Sequence, residues 1–334
     1  MSNVLVTHAD EPIGRRIVKL LFHDPRVGRI FAVGDASPPR AFDRFLAGSD
    51  PRLRYARVDL AKHRPVTDLF HSPALRESEI DTVVHVPRHG AAATASAPIV
   101  AGLSERTAET RMVLQHCLET PSVRSLVAIG SAFVYRLPPG NANRLGEESE
   151  LDLDPDVPAE IRSWIDCDMI LHGEVHNDRL RVVLLRVPTV VAAGGYVYLS
   201  PALGGRPRLR LRVLGFDPIC ALVSDKDVAR AVQAACHARS SGIYNIAGGE
   251  AVPLSVLARW TGRGSLPAPG PAVRWITAAA HLLGAETQVG TSTLCFGFTL
   301  DTSRAERELG FRPSDRIGLA RAGDGSLRVE TAAI

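Results

Sequence analysis

The 334-residue sequence predicts an α/β chain, a doubly wound parallel sheet with a smaller C-terminal lobe. Three observations predict it. Short β-branched runs alternate with longer amphipathic stretches through the first half, the order βαβ units need when helices cover both faces of a parallel sheet. Apolar residues make up 45% of the chain and charged residues 22%, which supplies a large core and excludes a disordered class. After Pro188 the texture changes to Gly/Pro-rich loops, which points to a second lobe assembled from insertions.

Residues 4–6 form the first predicted strand and 13–22 the first helix, whose Ile17, Val18, Leu20 and Leu21 make an inward stripe. Further strands are expected at 28–33, 53–58, 82–86, 125–129 and 181–186, with helices at 66–70, 105–118 and 160–176. Beyond them come a short arginine-rich strand near 206–213 and a helix at 225–237. The stretch 263–271 reads as a surface connection and 323 onward as a frayed tail. The expected division is 1–187 for the main domain, 188–325 for the smaller lobe interleaved with it, and 326–334 for the tail.

The formal charge of +3 comes from nearly matched acids and bases, so no field strong enough to recruit nucleic acid is expected. Cys117, Cys167, Cys220, Cys236 and Cys295 are widely spread with no ligand spacing, and read as reduced, mostly buried thiols rather than a metal set. The N-terminus runs straight into a strand without a basic region and apolar core, and no window approaches the ~20 apolar residues of a membrane span. A cytoplasmic protein is the expectation.

Several phrases occur in a telling order: VLVTHADEPIGRRIVKLL at the start, VDL at 58–60, DTVVHV at 81–86 and LVAIGSAFVY at 126–135. Later come RVVLLRVPTVV at 181–191, SDKDVARAVQAA at 224–235, GIYNIAGGE at 242–250 and DTSRAERELGFRP at 301–313. Their collinearity resembles the extended short-chain dehydrogenase/reductase family, the NAD-dependent nucleotide-sugar epimerases and dehydratases, over nearly the whole length. That resemblance implies a Rossmann-type fold; function has to be read from the site.

The resemblance implies binding of NAD or NADP by a turn of the form Thr-Gly-x-x-Gly-x-x-Gly, whose glycines let main chain approach the pyrophosphate at a helix N-terminus. Here the turn reads Thr7-His8-Ala9-Asp10-Glu11-Pro12-Ile13-Gly14, and of the three glycines only Gly14 is retained. His8 and Glu11 add bulk, while Asp10 and Glu11 bring negative charge to the helix start, so the loop reads as self-capped and dinucleotide binding as weak or absent. Pro12 suits the first helical turn, where its missing N–H costs nothing. Asp35 matches the family's ribose-binding acid, and Asp59-Leu60 its adenine-edge pair. The competing reading makes Asp35 and Asp59 ordinary strand-end turn formers.

In the family a Tyr-x-x-x-Lys pair handles the proton and a strand serine fixes the substrate hydroxyl. Ser131 matches the serine. Counting back from Glu174 puts Asp166 at the tyrosine position and Ile170 at the lysine position; a shift of two puts Trp164 and Asp168 there. Arg106 replaces the family's helix asparagine, and Tyr135 reads as a structural aromatic. Asp168, His172 and His176 are spaced to share one helix face, but HGEVH lacks the H-E-x-x-H order, so a solvated polar face is preferred and no metal is assigned. Arg206, Arg208, Arg210 and Arg212 would project from one face of a strand. The resemblance places a diphosphate grip in this region, with Tyr196 and Tyr198 lining the cleft. A charged edge strand that deters aggregation is the alternative. Asp225 and Asp227 resemble the acidic entry to the linking helix, an acid capping it and Asp227 structural, with Asn245 in a strand-end turn.

The favoured expectation is a degenerate family member that holds a small, nucleotide- or phosphate-bearing ligand between the lobes, without standard oxidoreduction. One alternative is an active NAD(P)-dependent epimerase, dehydratase or reductase using Ser131 with Asp166 or Asp168. Another is a non-catalytic subunit pairing with an active paralogue through helices 105–118 and 160–176, the family's usual dimer surface, which also underlies the expectation of a homodimer.

Overall fold

The computed structural model describes residues 1–46, 52–88, 99–138, 140, 143–192, 196–198, 209–260, 264–272, 275, 295–321 and 327–333. The first half supplies strands β1 (Ser2–Val6), β2 (Val27–Gly34), β3 (Leu53–Arg57), β4 (Thr82–His85), β5 (Ser125–Ser131), β6 (Arg144–Leu145) and β7 (Arg181–Val187). Between them lie helices α1 (Pro12–Phe22), α2 (Asp43–Leu46), α3 (His63–Phe70), α4 (Pro73–Glu77), α5 (Ile99–Glu119) and α6 (Ala159–His172). The later chain adds β8 (Thr189–Ala192), β9 (Tyr196–Tyr198), β10 (Leu209–Val213), β11 (Ile219–Ser224), α7 (Asp225–Cys236), β12 (Gly242–Asn245), β13 (Ala251–Pro253), α8 (Leu254–Trp260) and β14 (Gly264–Ala268). It ends with β15 (Thr299–Leu300), β16 (Asp315–Arg321) and β17 (Leu327–Ala333).

Seven strands form one sheet in the order β12-β7-β5-β4-β1-β2-β3, every neighbouring pair parallel. The period of two along each strand divides the core. Val4 and Val6 of β1 face the layer in which Ile13, Ile17 and Val18 of α1 meet Val228 and Val232 of α7. Leu5 faces the opposite layer, with Val66 of α3, Val113 and Cys117 of α5 and Leu171 of α6. Each such Val, Leu or Ile, fully buried, contributes ~1.5–3 kcal/mol of transfer free energy. α7 and β12 come from the later half of the chain yet belong to this sheet and its cover, so the two halves interleave.

Three expectations are corrected. The helix read as 160–176 stops at His172, with Gly173 as its C-terminal cap, so His176 lies in the turns beyond and Asp168, His172 and His176 do not share a face. The segment read as a connection at 263–271 contains β14, which pairs in parallel with β10. The expected tail is a strand: β17 pairs antiparallel with β16 over its whole length, because LRVETAA alternates well enough to continue a hairpin. α5 also begins at Ile99, earlier than periodicity indicated, and β11 is the centre of a smaller mixed sheet ordered β13-β11-β8-β9.

Candidate functional site

The strand order reverses between β4 and β1, the switch point at which open α/β sheets place a ligand beyond their strand ends. Thr7 closes β1 there; its Oγ1 accepts from the Val86 N–H at 2.9 Å and contacts His85 Nδ1 at 3.2 Å. Next comes His8 with φ 45°, a left-handed conformation that favours glycine. Its ring is buried and its Nε2 lies 3.0 Å from Glu109 Oε2 of α5. Glu109 is fully buried and its other oxygen lies 3.4 Å from Arg88 Nε, while Arg88 also pairs with Asp35 beyond β2. A chain of alternating charge, His8–Glu109–Arg88–Asp35, thus crosses the crevice.

Asp10 adds to the closure. Its Oδ2 accepts from the backbone N–H groups of Asp35 (3.1 Å) and Ala36 (3.0 Å). The expected self-capping of α1 is therefore corrected: Glu11 is the N-cap residue with no side-chain cap bond, and Asp10 serves the β2 end instead. Gly14 has a packing reason independent of any ligand, since a Cβ there would stand 2.1 Å from the His8 carbonyl oxygen. Burial opposes charge on His8, but the hydrogen bond and attraction of Glu109 outweigh it and raise its pKa. Burial likewise opposes charge on Glu109, yet His8 and Arg88 hold its pKa low. Desolvation raises Glu11 and Asp35. Asp10 Oδ1 and Asp35 Oδ1 are buried with no hydrogen-bond partner, while Arg88 Nε and Glu109 Oε1 meet each other only as an ion pair at 3.4 Å.

A second buried network stands at the ends of β5 and β7. Ser131 is buried and its Oγ accepts from the Phe133 N–H at 3.2 Å, capping the short turn Ala132–Val134. Arg186 of β7 donates from Nε and Nη2 to the two oxygens of Asp168, both at 2.8 Å, and from Nη1 to Tyr135 Oη at 3.0 Å. Tyr135 in turn donates to Asn245 Oδ1 at 2.7 Å. Arg106 is equally buried; it bonds Ser163 Oγ at 2.5 Å and Glu160 at 3.1 Å, and its guanidinium lies 4.2 Å from the Trp164 ring centre.

No family model matches the chain. Uncharacterized proteins of Mycobacterium tuberculosis and Mycobacterium bovis are 26% identical over 321 residues, spanning 93% of this chain and 80% of theirs. Among solved structures, a dTDP-glucose 4,6-dehydratase from Bacillus anthracis in complex with NAD superposes with TM-score 0.62 and 14% identity, over 94% of this chain and 92% of that one. A UDP-glucose 4-epimerase from Bifidobacterium longum in complex with NAD+ and UDP gives TM-score 0.64 and 16% identity, over 93% of each chain. The fold is that of the extended short-chain dehydrogenases/reductases.

Within an extended short-chain dehydrogenase/reductase fold, the residues present do not fit a dinucleotide seated as the resemblance implies. His8 fills the place of the first turn glycine, Asp10 and Glu11 oppose phosphate, and Arg88 occupies Asp35. Asp59 accepts from the Ala61 N–H at 3.1 Å and pairs with Lys62 at 2.9 Å, a turn former, and Leu60 is core. Of the two carboxylates that the resemblance puts at proton-handling positions in its alternative registers, Asp168 is paired with Arg186, while half-buried Asp166 has no side-chain hydrogen bond or ion pair among the described residues. Among the described residues, no hydrogen bond joins Ser131 to Asp166 or Asp168. Tyr135 stays protonated, burial raising its pKa.

Tyr196 and Tyr198 lie on β9, and Arg210 and Arg212 on β10; Arg206 and Arg208 lie outside the described residues. Arg212 is half-buried with its Nε unpartnered. The acid cap expected for α7 is corrected to Ser224, whose Oγ accepts from the Asp227 N–H at 2.9 Å; Asp227 instead holds the start of β16 through the Ser314 (3.0 Å) and Asp315 (3.1 Å) N–H groups. Among the described residues no group of His, Cys, Asp and Glu could hold a metal ion. Sequence reasoning missed Arg88, Glu109 and Arg186. Glu109 did leave a signal, since it interrupts the inward stripe that continues through Val113 and Cys117.

Proposed function

We propose that this chain is a degenerate extended short-chain dehydrogenase/reductase, a non-redox protein that binds a small molecule and has closed its dinucleotide crevice with its own side chains. The observation that carries the reading is the His8–Glu109–Arg88–Asp35 chain across the switch point. A coenzyme would have to displace buried ion pairs whose separated charges cost several kcal/mol to leave unpaired. The ligand is a nucleotide- or phosphate-bearing molecule held by the arginines of β10, where guanidinium forks suit a diphosphate. The epimerase with the same fold carries UDP. Pairing of two copies through α5 and α6, and a cytoplasmic setting, complete the proposal.

NADH and NADPH titration, followed by nicotinamide fluorescence and thermal unfolding, tests it. Neither coenzyme is expected to shift the melting temperature, whereas a true ligand at 100 times its Kd adds about 2.7 kcal/mol. Stoichiometric capture of either coenzyme overturns the proposal in favour of an active epimerase or dehydratase that keeps Asp35 for the ribose.

A further inference from the structure

At the opposite end of the sheet, where β4, β5 and β7 begin, a hollow of roughly 700 Å3 is lined by Arg124, Arg179, Arg181 and Arg239. Ser125 and Ser241 also line it, as do Asp81 and Asp178. Parallel register brings the group together: Thr82, Ser125 and Arg181 are successive neighbours across the three strands. No ion pair engages any of the four arginines among the described residues, although arginines elsewhere in the chain are widely paired. Two of the nearby acids are committed. Asp81 accepts from Ser2 Oγ (2.7 Å) and the Asn3 N–H (3.0 Å), and Asp24 is held by Arg26, Gln233 and His237. Asp178 stands exposed on the rim.

Two of the four have structural duties. Arg179 donates to the Cys117 and Thr120 carbonyls at the end of α5; Arg181 donates to the Cys236 carbonyl at the end of α7, to that of Ala238, and to Ser125 Oγ at 2.8 Å. Such contacts offset about half a unit of helix-end charge each and leave positive charge over. Arg181 is half-buried and its hydrogen bonds all go to neutral acceptors, with the Asp81 carboxylate acting on it only through space. Arg124 and Arg239 are exposed, and their side chains make no hydrogen bond or ion pair among the described residues; the Arg124 main chain bonds Asp81 and Arg181. The serines are poised likewise. Ser125 Oγ accepts from Arg181 and Ser241 Oγ accepts from the Val182 N–H at 3.1 Å, so each hydroxyl keeps its own hydrogen to donate.

We infer that this hollow, remote from the switch-point crevice, is a binding site for a small phosphorylated anion gripped by Arg124 and Arg239, with the Ser125 and Ser241 hydroxyls as further donors. Its volume matches a small-molecule pocket, and paired guanidinium forks match phosphate oxygens.

Calorimetric titration of the full chain at physiological salt, with inorganic phosphate, pyrophosphate and ADP, tests the site. Saturable binding of pyrophosphate is expected. The double variant Arg124→Ser/Arg239→Ser, which removes no bond of the fold, weakens it about tenfold or more, the scale of lost charge-assisted hydrogen bonds. Arg136→Ser, on another surface, leaves it unchanged. ADP binding tighter than pyrophosphate, and equally lost in the double variant, identifies a nucleotide as the source of the phosphate; equal affinity identifies the inorganic group. No saturable binding of any of the three probes, or binding indifferent to the double variant, overturns the inference. Because NADH itself carries an ADP group, the coenzyme titration is run on the Arg124→Ser/Arg239→Ser variant as well: NADH binding that persists there belongs to the crevice and bears on the proposed function, and binding lost there belongs to the hollow.

Discussion

His8 and His85 flank the same turn and titrate in opposite directions. His85 is fully buried between Thr7 and Thr110, with Glu109 and His8 as its charged neighbours, and burial lowers its pKa from 6.5 to about 4. Its neutral form is the native one, so its stabilisation is present above its ordinary value and is lost as pH falls from 6.5 to about 4. The full loss is about 3 kcal/mol, and His85→Asn is expected to remove it, seen as a flatter acid limb in urea unfolding. His8 has its pKa raised above 6.5 by Glu109 despite burial, so its contribution is complete below 6.5 and is lost as pH rises through the higher native value. Glu109→Gln therefore costs more stability at about pH 6 than at about pH 9; an equal cost at both would sink the assignment of a charged His8–Glu109 pair. At this scale the sequence was half legible. The loss of two turn glycines is written in Thr7–Gly14, but the pairing of Asp35 depends on where Arg88 goes after β4, and no periodicity encodes that direction.

Asp168 on α6 and Arg186 on β7 show how elements, rather than single residues, decide which buried charges meet. The pair binds α6 to β7, and through Tyr135 and Asn245 it reaches the loop after β5 and the end of β12. Asp168→Asn is expected to destabilise by roughly 3–5 kcal/mol because it leaves Arg186 buried and uncompensated, while Asp168→Leu/Arg186→Met recovers most of that loss. Denaturant midpoints with unchanged m-values check both; a double variant as weak as the single one would show that the network does more than neutralise charge. The elements themselves were legible wherever strands are buried on both faces, as in β4, β5 and β7. Ends decided by a cap were not. α6 stops at His172 under its Gly173 cap, four residues before the expected end, and although α7 starts at Asp225 as expected, its cap is Ser224 rather than an acid.

The whole molecule superposes on the dehydratase and the epimerase over more than nine-tenths of its length at 14% and 16% identity, so the fold is kept where the sequence has diverged widely. Collinear phrases made the scaffold readable, whereas β14 was missed because Gly264 and Pro267 read as loop formers, and β17 because residues from 323 onward read as a frayed tail. If closure of the crevice is a matter of a few side chains on an intact frame, binding and turnover separate cleanly. His8→Gly/Glu11→Gly restores the turn glycines, relieves the positive φ at position 8 and removes one acid from the helix start. Glu109 keeps Arg88 as its remaining partner, so the variant has a route to folding. NADH affinity is expected to rise about tenfold or more over the parent, read by fluorescence, with no gain in reduction of any ketosugar nucleotide. On the proposed reading the turn governs phosphate approach, while Asp168 stays paired with Arg186 and Ser131, which accepts from the Phe133 N–H, has no hydrogen bond to a base among the described residues. A variant that gains turnover along with binding would show that proton handling survives in a residue other than these two, and one that gains neither would place the barrier in Arg88 rather than in the turn.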